Sequence, residues 1–280
     1  MTDFVAVITA SGGVSDGVVD RIVSQLEGAT VNQLWVNAVE IVLPTGEAPV
    51  IDATGLGVDV NVIPALNRQK SLLIADMDST IIPVECIDEL ADFAGFKPQV
   101  SEITERAMRG ELDFEAAIDA RVGLLKGLAV SALEDCYQSR VSLNPGAKEL
   151  LARMAAIGAD TALVSGGFTY FTERVAKAAG FASNQANQLE IEGGELTGRV
   201  IRPILGRQAK ADALARLCAE NGITADQVIA VGDGANDLDM IRAAGLGVAY
   251  HAKPALKAEA NAVLDHSDLT ALLALQGLTP

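Results

Sequence analysis

The stretch "LLIADMDSTII" (residues 72–82) joins a short apolar run to two carboxylates. The run is rich in Leu and Ile, which predicts a buried β-strand. Asp76 and Asp78 follow it, although burying one carboxylate is costly and a second like charge nearby adds to the cost. Residues two apart in an extended strand point to the same side, so both acids are expected to converge on one point. The strand therefore predicts a site at its end that compensates for the two charges.

Three later apolar runs repeat this pattern: "TALVS" (161–165), "VIAVG" (228–232) and "GLGVA" (245–249). Helical segments such as "GAKELLARMAAIG" and "QAKADALARLCAEN" separate them, which predicts an α/β fold with a doubly wound, Rossmann-like parallel sheet. Ser165 and Asp233 stand at the ends of two of these runs. Because ligands of such sheets bind beyond the carboxyl ends of the strands, we expect one shared crevice there.

A long insertion separates the first two runs and has helical periodicity throughout. Its candidate helices are "DELADFAGF" (88–96), "QVSEITERAMRG" (99–110), "DFEAAIDARVGLLKGL" (113–128) and "SALEDCYQSRV" (131–141). A helical insertion directly after a catalytic strand is typical of a cap that excludes water from the crevice. We therefore predict a cap over residues 83–144 and a catalytic core over residues 70–82 and 145–280.

The first 68 residues have a different pattern, which predicts a small α+β domain in the order strand, helix, strand, strand. "FVAVITA" (4–10) is the first strand, "VSDGVVDRIVSQL" (14–26) the helix, and "QLWVNAVEIVLP" (33–44) contains two short strands. The segment "DATGLGVDVNVIPALNRQ" (52–69) is rich in Gly, Asn and Asp and has no clear period, so it is interpreted as a linker.

Composition excludes several classes of partner. The net charge of −16 argues against nucleic acid and against anionic membranes. No apolar run reaches the roughly 18 residues of a spanning helix, and an acid, Asp3, stands where a signal peptide would carry Lys or Arg. The three cysteines form no motif, which fits a reducing, cytoplasmic location.

The carboxylates predict a magnesium site. "VGDGAND" contributes Asp233 and Asp237 to the same crevice as Asp76 and Asp78, and Mg²⁺ prefers such oxygen ligands together with water and phosphate. An aspartate beside Mg²⁺ can act as a covalent nucleophile, and a second one can move a proton. Taken alone, Asp-x-Asp and "GDGAND" are also compatible with turns. The occurrence of both at strand ends, with "VSGGF" between them, favours the catalytic interpretation.

The same residues resemble a known superfamily. "DMDST" (76–80), "SGG" (165–167), Lys210 and "GDGAND" (232–237) resemble, in order, the four motifs of the haloacid dehalogenase superfamily of phosphatases. More narrowly, "DMDSTIIPVECIDELA" and "AMRGELDFEAAIDARVGLLKGL" resemble the phosphoserine phosphatase family. The resemblance implies Mg²⁺-dependent hydrolysis of phosphoserine through an aspartyl-phosphate, the last step of serine biosynthesis. Two alternatives are a related phosphatase or phosphotransferase for another small phosphomonoester, and a catalytically silent amino-acid sensor.

The resemblance also implies a role for each matching residue. Asp76 would be the nucleophile, and Asp78 the general acid and base, with its backbone carbonyl on the metal. Asp233 would complete the metal ligands together with Asp76, and Asp237 would support them. The residues implied in substrate binding are Glu85, Met108, Phe114, Arg121, Ser165, Gly166, Gly167, Lys210 and Asn236.

Several of these residues have ordinary structural alternatives. Lys210 is either a solvated lysine or the partner of an anion, because lysine is unfavourable at the helix start where it stands. Arg121 interrupts the apolar stripe of Phe114 and Ile118 and either snorkels to the surface or pairs with a carboxylate. Glu85 is either a helix-start acid or the partner of an ammonium group. Met108 and Phe114 either line the site or belong to the cap core.

The strand and helix order of residues 1–68 resembles a degenerate ACT-like domain. ACT domains commonly bind amino acids at a dimer interface. The domain therefore either binds serine and mediates a homodimer, or has only a packing role.

Overall fold

The computed structural model describes residues 3–44, 46–108 and 111–280, except for the side chains of Glu105, Ala107 and Met108. The strands are β1 (Phe4–Thr9), β2 (Thr30–Trp35), β3 (Ala38–Val42), β4 (Asp59–Pro64), β5 (Leu72–Ala75), β6 (Asp160–Phe168), β7 (Ser183–Glu192), β8 (Glu195–Ile201), β9 (Val228–Gly232), β10 (Leu246–Tyr250) and β11 (Ala262–Leu264). The α-helices are α1 (Asp16–Val23), α2 (Cys86–Phe93), α3 (Lys97–Met108), α4 (Phe114–Gly123), α5 (Ser131–Arg140), α6 (Ala147–Ala156), α7 (Thr169–Ala179), α8 (Arg207–Asn221), α9 (Leu238–Ala243), α10 (Pro254–Lys257) and α11 (Ala271–Leu275). Within the described ranges, no helix is both long enough and apolar enough to cross a bilayer.

The larger sheet confirms the predicted α/β fold. Its strand order is β11-β10-β9-β5-β6-β7-β8, and every pair is parallel except the β7–β8 hairpin, which the sequence pattern did not predict. The central strand β5 is buried on both faces: Leu73 and Ala75 belong to one core, and Leu72 and Ile74 to the other. This explains why its sequence is a continuous apolar run rather than an alternating one.

The N-terminal residues form a separate antiparallel sheet in the order β2-β3-β1-β4. Strand β1 alternates: Ala6 and Ile8 pack in the core that contains Ile22 of α1, whereas Val5 and Val7 join the main core of the larger sheet. The N-terminal sheet therefore lies between α1 and the rest of the protein and shares the main core.

Strand β4 corrects the prediction of a linker at residues 52–69. It was missed because its buried positions are polar: Asp59 and Asn61 are almost inaccessible, whereas Val60 and Val62 are only partly buried. The Asn61 side chain donates to the carbonyl of Val263 (3.0 Å) and accepts from its amide (2.8 Å). These bonds hold β4 against β11. Each is the edge strand of its sheet, and the contact covers polar groups that could otherwise pair with a strand of another chain.

Asp59 fixes the same junction, and its removal should destabilise the fold. Its carboxylate accepts hydrogen bonds from the amides of Asp265 (2.8 Å) and His266 (3.0 Å) and from the Ser267 hydroxyl (2.6 Å). We expect Asp59→Ala to lower the free energy of unfolding by about 2–4 kcal/mol, because buried donors then lose a charged acceptor. Urea unfolding measures this, with Asp52→Ala as the control because Asp52 is exposed and caps only its own turn. Equal midpoints for both variants would contradict the interpretation.

Helices α2–α5 lie between β5 and α6 in the chain and coincide with the helices predicted in the insertion. After α4 the chain is bonded to β8: the Gly127 amide donates to the Leu196 carbonyl (2.8 Å), and the Leu196 amide donates to Leu128 (2.9 Å). The Val130 amide adds a bond to the Gly194 carbonyl (2.9 Å). The helical segment is therefore attached to the β7–β8 hairpin by backbone hydrogen bonds.

Candidate active site

Asp76 lies directly after β5, where its amide donates to the Val231 carbonyl of β9 (3.0 Å). Lys210, on α8, places its Nζ 2.7 Å from Asp76 Oδ1 and 2.6 Å from Asp237 Oδ1. All three side chains are nearly inaccessible to solvent. Burial alone would lower the pKa of Lys210, but the carboxylates of Asp237 and Asp76 raise it above its usual value. Lys210 is therefore a buried, fixed cation and not a solvated lysine.

Asp237 supports the loop that carries Asp233. Its Oδ2 accepts from the amides of Asp233 (3.1 Å) and Gly234 (3.0 Å), while its Oδ1 contacts Lys210. A side chain at Gly232 has no room, since a Cβ there would lie 2.4 Å from Asp237 Cγ. Because protein donors occupy both oxygens of Asp237, this residue is better suited to hold the loop than to bind a ligand directly.

The carboxylates form a cluster with the chemistry of a cation site. One oxygen from each of Asp76, Asp233 and Asp237 lies within 4.8 Å of the others. Burial raises the pKa of Asp76 well above its usual range, and the charge of Asp237 raises it further against the effect of Lys210. Burial, with Asp237, raises the pKa of Asp233 to about 6. A hard cation at these oxygens would offset the repulsion, and the oxygen-only donor set fits Mg²⁺.

Asp78 contacts the start of α2 and strand β6. Its Oδ1 accepts from the Cys86 amide at the start of α2 (2.9 Å), and its Oδ2 accepts from the Ser165 hydroxyl (3.4 Å). Burial, together with the nearby Glu85 carboxylate, raises its pKa to about 7. Gly167 is required beside it, because a Cβ there would lie 2.7 Å from Asp78 Oδ2. Asp78 can therefore carry or release a proton near neutral pH.

Ser165, Gly166 and Gly167 lie within β6 beside these acids, where the pairing with β7 shifts register between Val164 and Phe168, and not after the strand as the sequence predicted. The Ser165 hydroxyl is buried and accepts from the Gly167 amide (2.8 Å). The buried Asn187 side chain donates to the carbonyls of Gly166 (2.8 Å) and Leu205 (3.2 Å) and accepts from the Leu205 amide (2.7 Å). Sequence reasoning missed Asn187, although a buried asparagine within "NQANQLEIE" joins the two loops that flank the site.

Phe114, the first residue of α4, contacts this part of β6. A Cβ on Gly166 would lie 3.3 Å from the Phe114 ring, and one on Gly206 would lie 3.0 Å from it. The ring therefore lies over both glycines, and the side chain remains about one-third exposed at 36%. Met108, predicted beside it, has a side chain outside the described part of the chain.

The remaining predicted residues lie at the rim. Asn236 donates to Asp76 Oδ2 (3.4 Å), and the exposed Glu85 accepts from the Ser79 hydroxyl (2.6 Å). Ser79 holds this position with φ of +55°, a conformation that non-glycine residues adopt at some cost. Arg121 is only partly buried and donates from Nε to its own helix at Ala117 (3.2 Å). Its guanidinium has no carboxylate oxygen within 4 Å among the described residues, so the structure does not bring it into contact with the other groups.

The chain is similar to several known hydrolases. The family profile of haloacid dehalogenase-like hydrolases matches residues 73–242. A phosphoserine phosphatase of Archaeoglobus fulgidus is 46% identical over 223 residues, which cover 79% of this chain and 64% of that protein. A phosphoserine phosphatase of Albidiferax ferrireducens is 46% identical over 238 residues, which cover 83% of this chain and 98% of the relative. The crystal structure of a probable, unliganded phosphoserine phosphatase from Vibrio cholerae has a TM-score of 0.81 at 32% identity, covering 99% of this chain and 86% of its own.

The sheet and the acidic cluster at its edge define an α/β protein with a strand-end site. The chain belongs to the haloacid dehalogenase-like hydrolase family. The matched residues run from β5 to α9 and include Asp76, Asp78, Ser165, Lys210 and Asp233. The chain spans less than two thirds of the length of the Archaeoglobus relative.

Proposed function

We propose that this protein is a Mg²⁺-dependent phosphoserine phosphatase. The observation that carries the proposal is that Asp76 and Asp233, directly after the parallel strands β5 and β9, meet beside Ser165 of the neighbouring strand β6. Lys210 contacts Asp76, and the Phe114 ring lies over Gly166. The relatives named phosphoserine phosphatases support the choice of substrate. Asp76 and Asp233 would hold a Mg²⁺ ion together with the backbone carbonyl of Asp78, with Asp237 in support, and the ion would supply positive charge to the carboxylates and the phosphate.

In the first step, Asp76 attacks the phosphorus of the substrate. Its Oδ1 is occupied by the Met77 amide (2.8 Å) and Lys210, so Oδ2, with only the long contact to Asn236, is the nucleophilic oxygen. A bond forms from Oδ2 to phosphorus while the bond to the seryl oxygen breaks. The Asp78 carboxyl donates its proton to that oxygen, and serine leaves.

In the second step, water hydrolyses the aspartyl-phosphate. The Asp78 carboxylate accepts a proton from the water, whose oxygen attacks phosphorus, and the bond to Asp76 breaks. Lys210, the Ser165 hydroxyl and the Gly166 amide hold the phosphoryl oxygens in both steps, because such transfer depends mainly on positioning and charge. Phosphate leaves, and both aspartates return to their starting states.

Selectivity for phosphoserine comes from two rim residues of opposite charge. Arg121 is proposed to bind the substrate carboxylate, for which its planar fork is suited. Glu85 is proposed to bind the ammonium group. Burial lowers the pKa of Arg121, whereas Asp88, Glu85 and Asp78 oppose that effect, so the guanidinium stays charged in an acidic surrounding.

Substitution of these two residues tests the proposal. We expect Arg121→Ala and Glu85→Gln each to reduce kcat/KM on O-phospho-L-serine by about tenfold to a hundredfold, since each loses a hydrogen bond to a charged group. Activity on p-nitrophenyl phosphate, which has neither group, should change little. Glu89→Gln is the matched control for Glu85→Gln, because Glu89 lies on α2, the helix that Glu85 precedes, and pairs with Arg140 instead. Equal losses on both substrates would overturn the assignment.

Arg202, which follows β8, should hold α4 over the site. It donates to Glu115 (2.7 Å) and also contacts Asp119, one turn apart on that helix. Because the pairs are exposed, we expect Arg202→Ala to raise KM by only about twofold to fivefold, with kcat nearly unchanged. High salt should reduce the difference. Arg199→Ala is the control, since Arg199 pairs with Glu190 within the hairpin; the same KM change in both variants would argue against a role for the contact with α4.

The ACT-like character of residues 1–68, serine binding there, a homodimer and a cytoplasmic location stay predictions. The structure describes one helix and a four-stranded sheet in residues 3–44 and 46–68. The three cysteines are buried and free of disulfides, which supports a reducing compartment.

A further inference from the structure

Asn187, on β7, makes three hydrogen bonds to backbone groups beside the site. Its Nδ2 donates to the carbonyls of Gly166 (2.8 Å) and Leu205 (3.2 Å), and its Oδ1 accepts from the Leu205 amide (2.7 Å). The Asn187 side chain is buried, with only 1% of the residue exposed. Because a buried amide is costly to leave unpaired, these bonds fix both backbone segments relative to β7.

The bond to Gly166 orients the peptide that joins Gly166 to Gly167. The carbonyl of this peptide accepts from Asn187, and its amide, that of Gly167, donates to the Ser165 hydroxyl oxygen (2.8 Å). The Ser165 hydroxyl in turn donates its own proton to Asp78 Oδ2 (3.4 Å). A chain of direct contacts thus leads from Asn187 to the Ser165 hydroxyl.

The other two bonds of Asn187 hold the segment that precedes α8. Gly206 in this segment caps α8, the helix that carries Lys210. The Phe114 ring lies over Gly206 as well as over Gly166. The same buried side chain therefore holds together the two backbone segments that the ring covers.

We propose that Asn187 is a positioning residue for phosphoryl transfer, which sets the Ser165 hydroxyl and the Gly166 amide in place for the phosphoryl oxygens. The inference rests on the proposed function, in which these two groups hold the phosphoryl group. The polar atoms of Asn187 are bonded to the backbone, so Asn187 acts through that backbone and not on the substrate. Because every phosphomonoester has the same phosphoryl group, loss of Asn187 should affect all such substrates alike.

The test compares Asn187→Ala with Asn61→Ala as the matched control. Asn61 is also a buried asparagine bonded to a backbone carbonyl and amide, those of Val263, but it lies on β4 of the N-terminal sheet. Both changes should lower the urea midpoint of unfolding. Only Asn187→Ala should lower kcat/KM, by about tenfold to a hundredfold on both O-phospho-L-serine and p-nitrophenyl phosphate, and raise the inhibition constant of inorganic phosphate about tenfold.

A double variant separates positioning of Ser165 from a general loosening of the fold. Asn187→Ala should cost less kcat/KM in the Ser165→Ala background than in the unaltered protein, because part of its effect acts through the Ser165 hydroxyl. Asn187→Ser, whose shorter side chain does not reach Gly166, repeats the measurements if Asn187→Ala does not fold.

Three results would overturn the inference: equal kcat/KM in Asn187→Ala and Asn61→Ala, a loss confined to one of the two substrates, or fully additive losses in the double variant. The proposed function fails separately. If the unaltered protein hydrolyses p-nitrophenyl phosphate but not O-phospho-L-serine, the proposed substrate is wrong, and the role of Asn187 is still measured on p-nitrophenyl phosphate. If the unaltered protein hydrolyses O-phospho-L-serine and Asn187→Ala is as active as Asn61→Ala, only the role of Asn187 fails.

Discussion

Replacing Asp76 with Asn should reduce phosphate release from O-phospho-L-serine by on the order of 10⁴-fold or more, because an amide cannot act as the nucleophile in the proposed mechanism. The fold should survive the change. Asn is isosteric with Asp and replaces a buried carboxyl whose pKa is already raised by burial. Lys210 keeps its contact with Asp237. Steady-state release of phosphate with Mg²⁺ present measures the loss.

Two controls make this prediction specific. Asp212→Asn carries the same change to an exposed position on α8, where the side chain contacts Gln208, and should retain full activity. Mg²⁺ should raise the melting temperature of the unaltered protein and raise that of Asp76→Asn less, since a ligand stabilises only the state that binds it. Substantial turnover by Asp76→Asn would refute the nucleophile assignment.

Replacing Asp78 with Asn should have the second-largest effect, and its size should depend on the leaving group. An amide cannot transfer the proton, so we expect a loss of about 10²–10⁴-fold on phosphoserine, whose alkoxide is a poor leaving group. The loss on the first step with p-nitrophenyl phosphate should be much smaller, because a nitrophenolate leaves without protonation. Burst kinetics separate this first step from hydrolysis of the intermediate.

The contacts of Asp78 offer a control for the effect of a misplaced Asp78 side chain. Ser165→Ala removes the hydroxyl that donates to Asp78 Oδ2 but leaves the carboxyl able to move a proton. It should therefore slow both substrates similarly. The same substrate-independent loss in Asp78→Asn would show that Asp78 acts through position alone and not through proton transfer.

The centre of the fold was predictable because its signals are local and mutually consistent. Leu72 to Ala75 form a strand buried on both faces, and such strands appear in sequence as uninterrupted apolar runs. Polar residues at the ends of three such runs predicted where Asp76, Ser165 and Asp233 would meet. Neighbouring parallel strands bring their carboxyl ends to one edge of the sheet, so residues that follow these strands meet there however far apart they are in the sequence.

The missed features depend on contacts between distant segments. Strand β4 has polar residues on its buried face, because Asp59 and Asn61 bond to the backbone around β11 some two hundred positions away. Asn187 carries no motif, and its environment arises only when the segments of Gly166 and Leu205 meet. Arg121 shows the reverse limit: its place in an apolar stripe left open a surface position or a carboxylate partner, and among the described residues its Nε donates only to its own helix at Ala117.

The most direct test of the central claim is acid quenching of the enzyme during turnover of O-phospho-L-serine labelled in its phosphate, with Mg²⁺ present. We expect label in the peptide that carries Asp76, a labile bond typical of an acyl phosphate, and no label in Asp76→Asn. Turnover of phosphoserine without labelled protein, label on another residue, or no turnover of phosphoserine at all would contradict it.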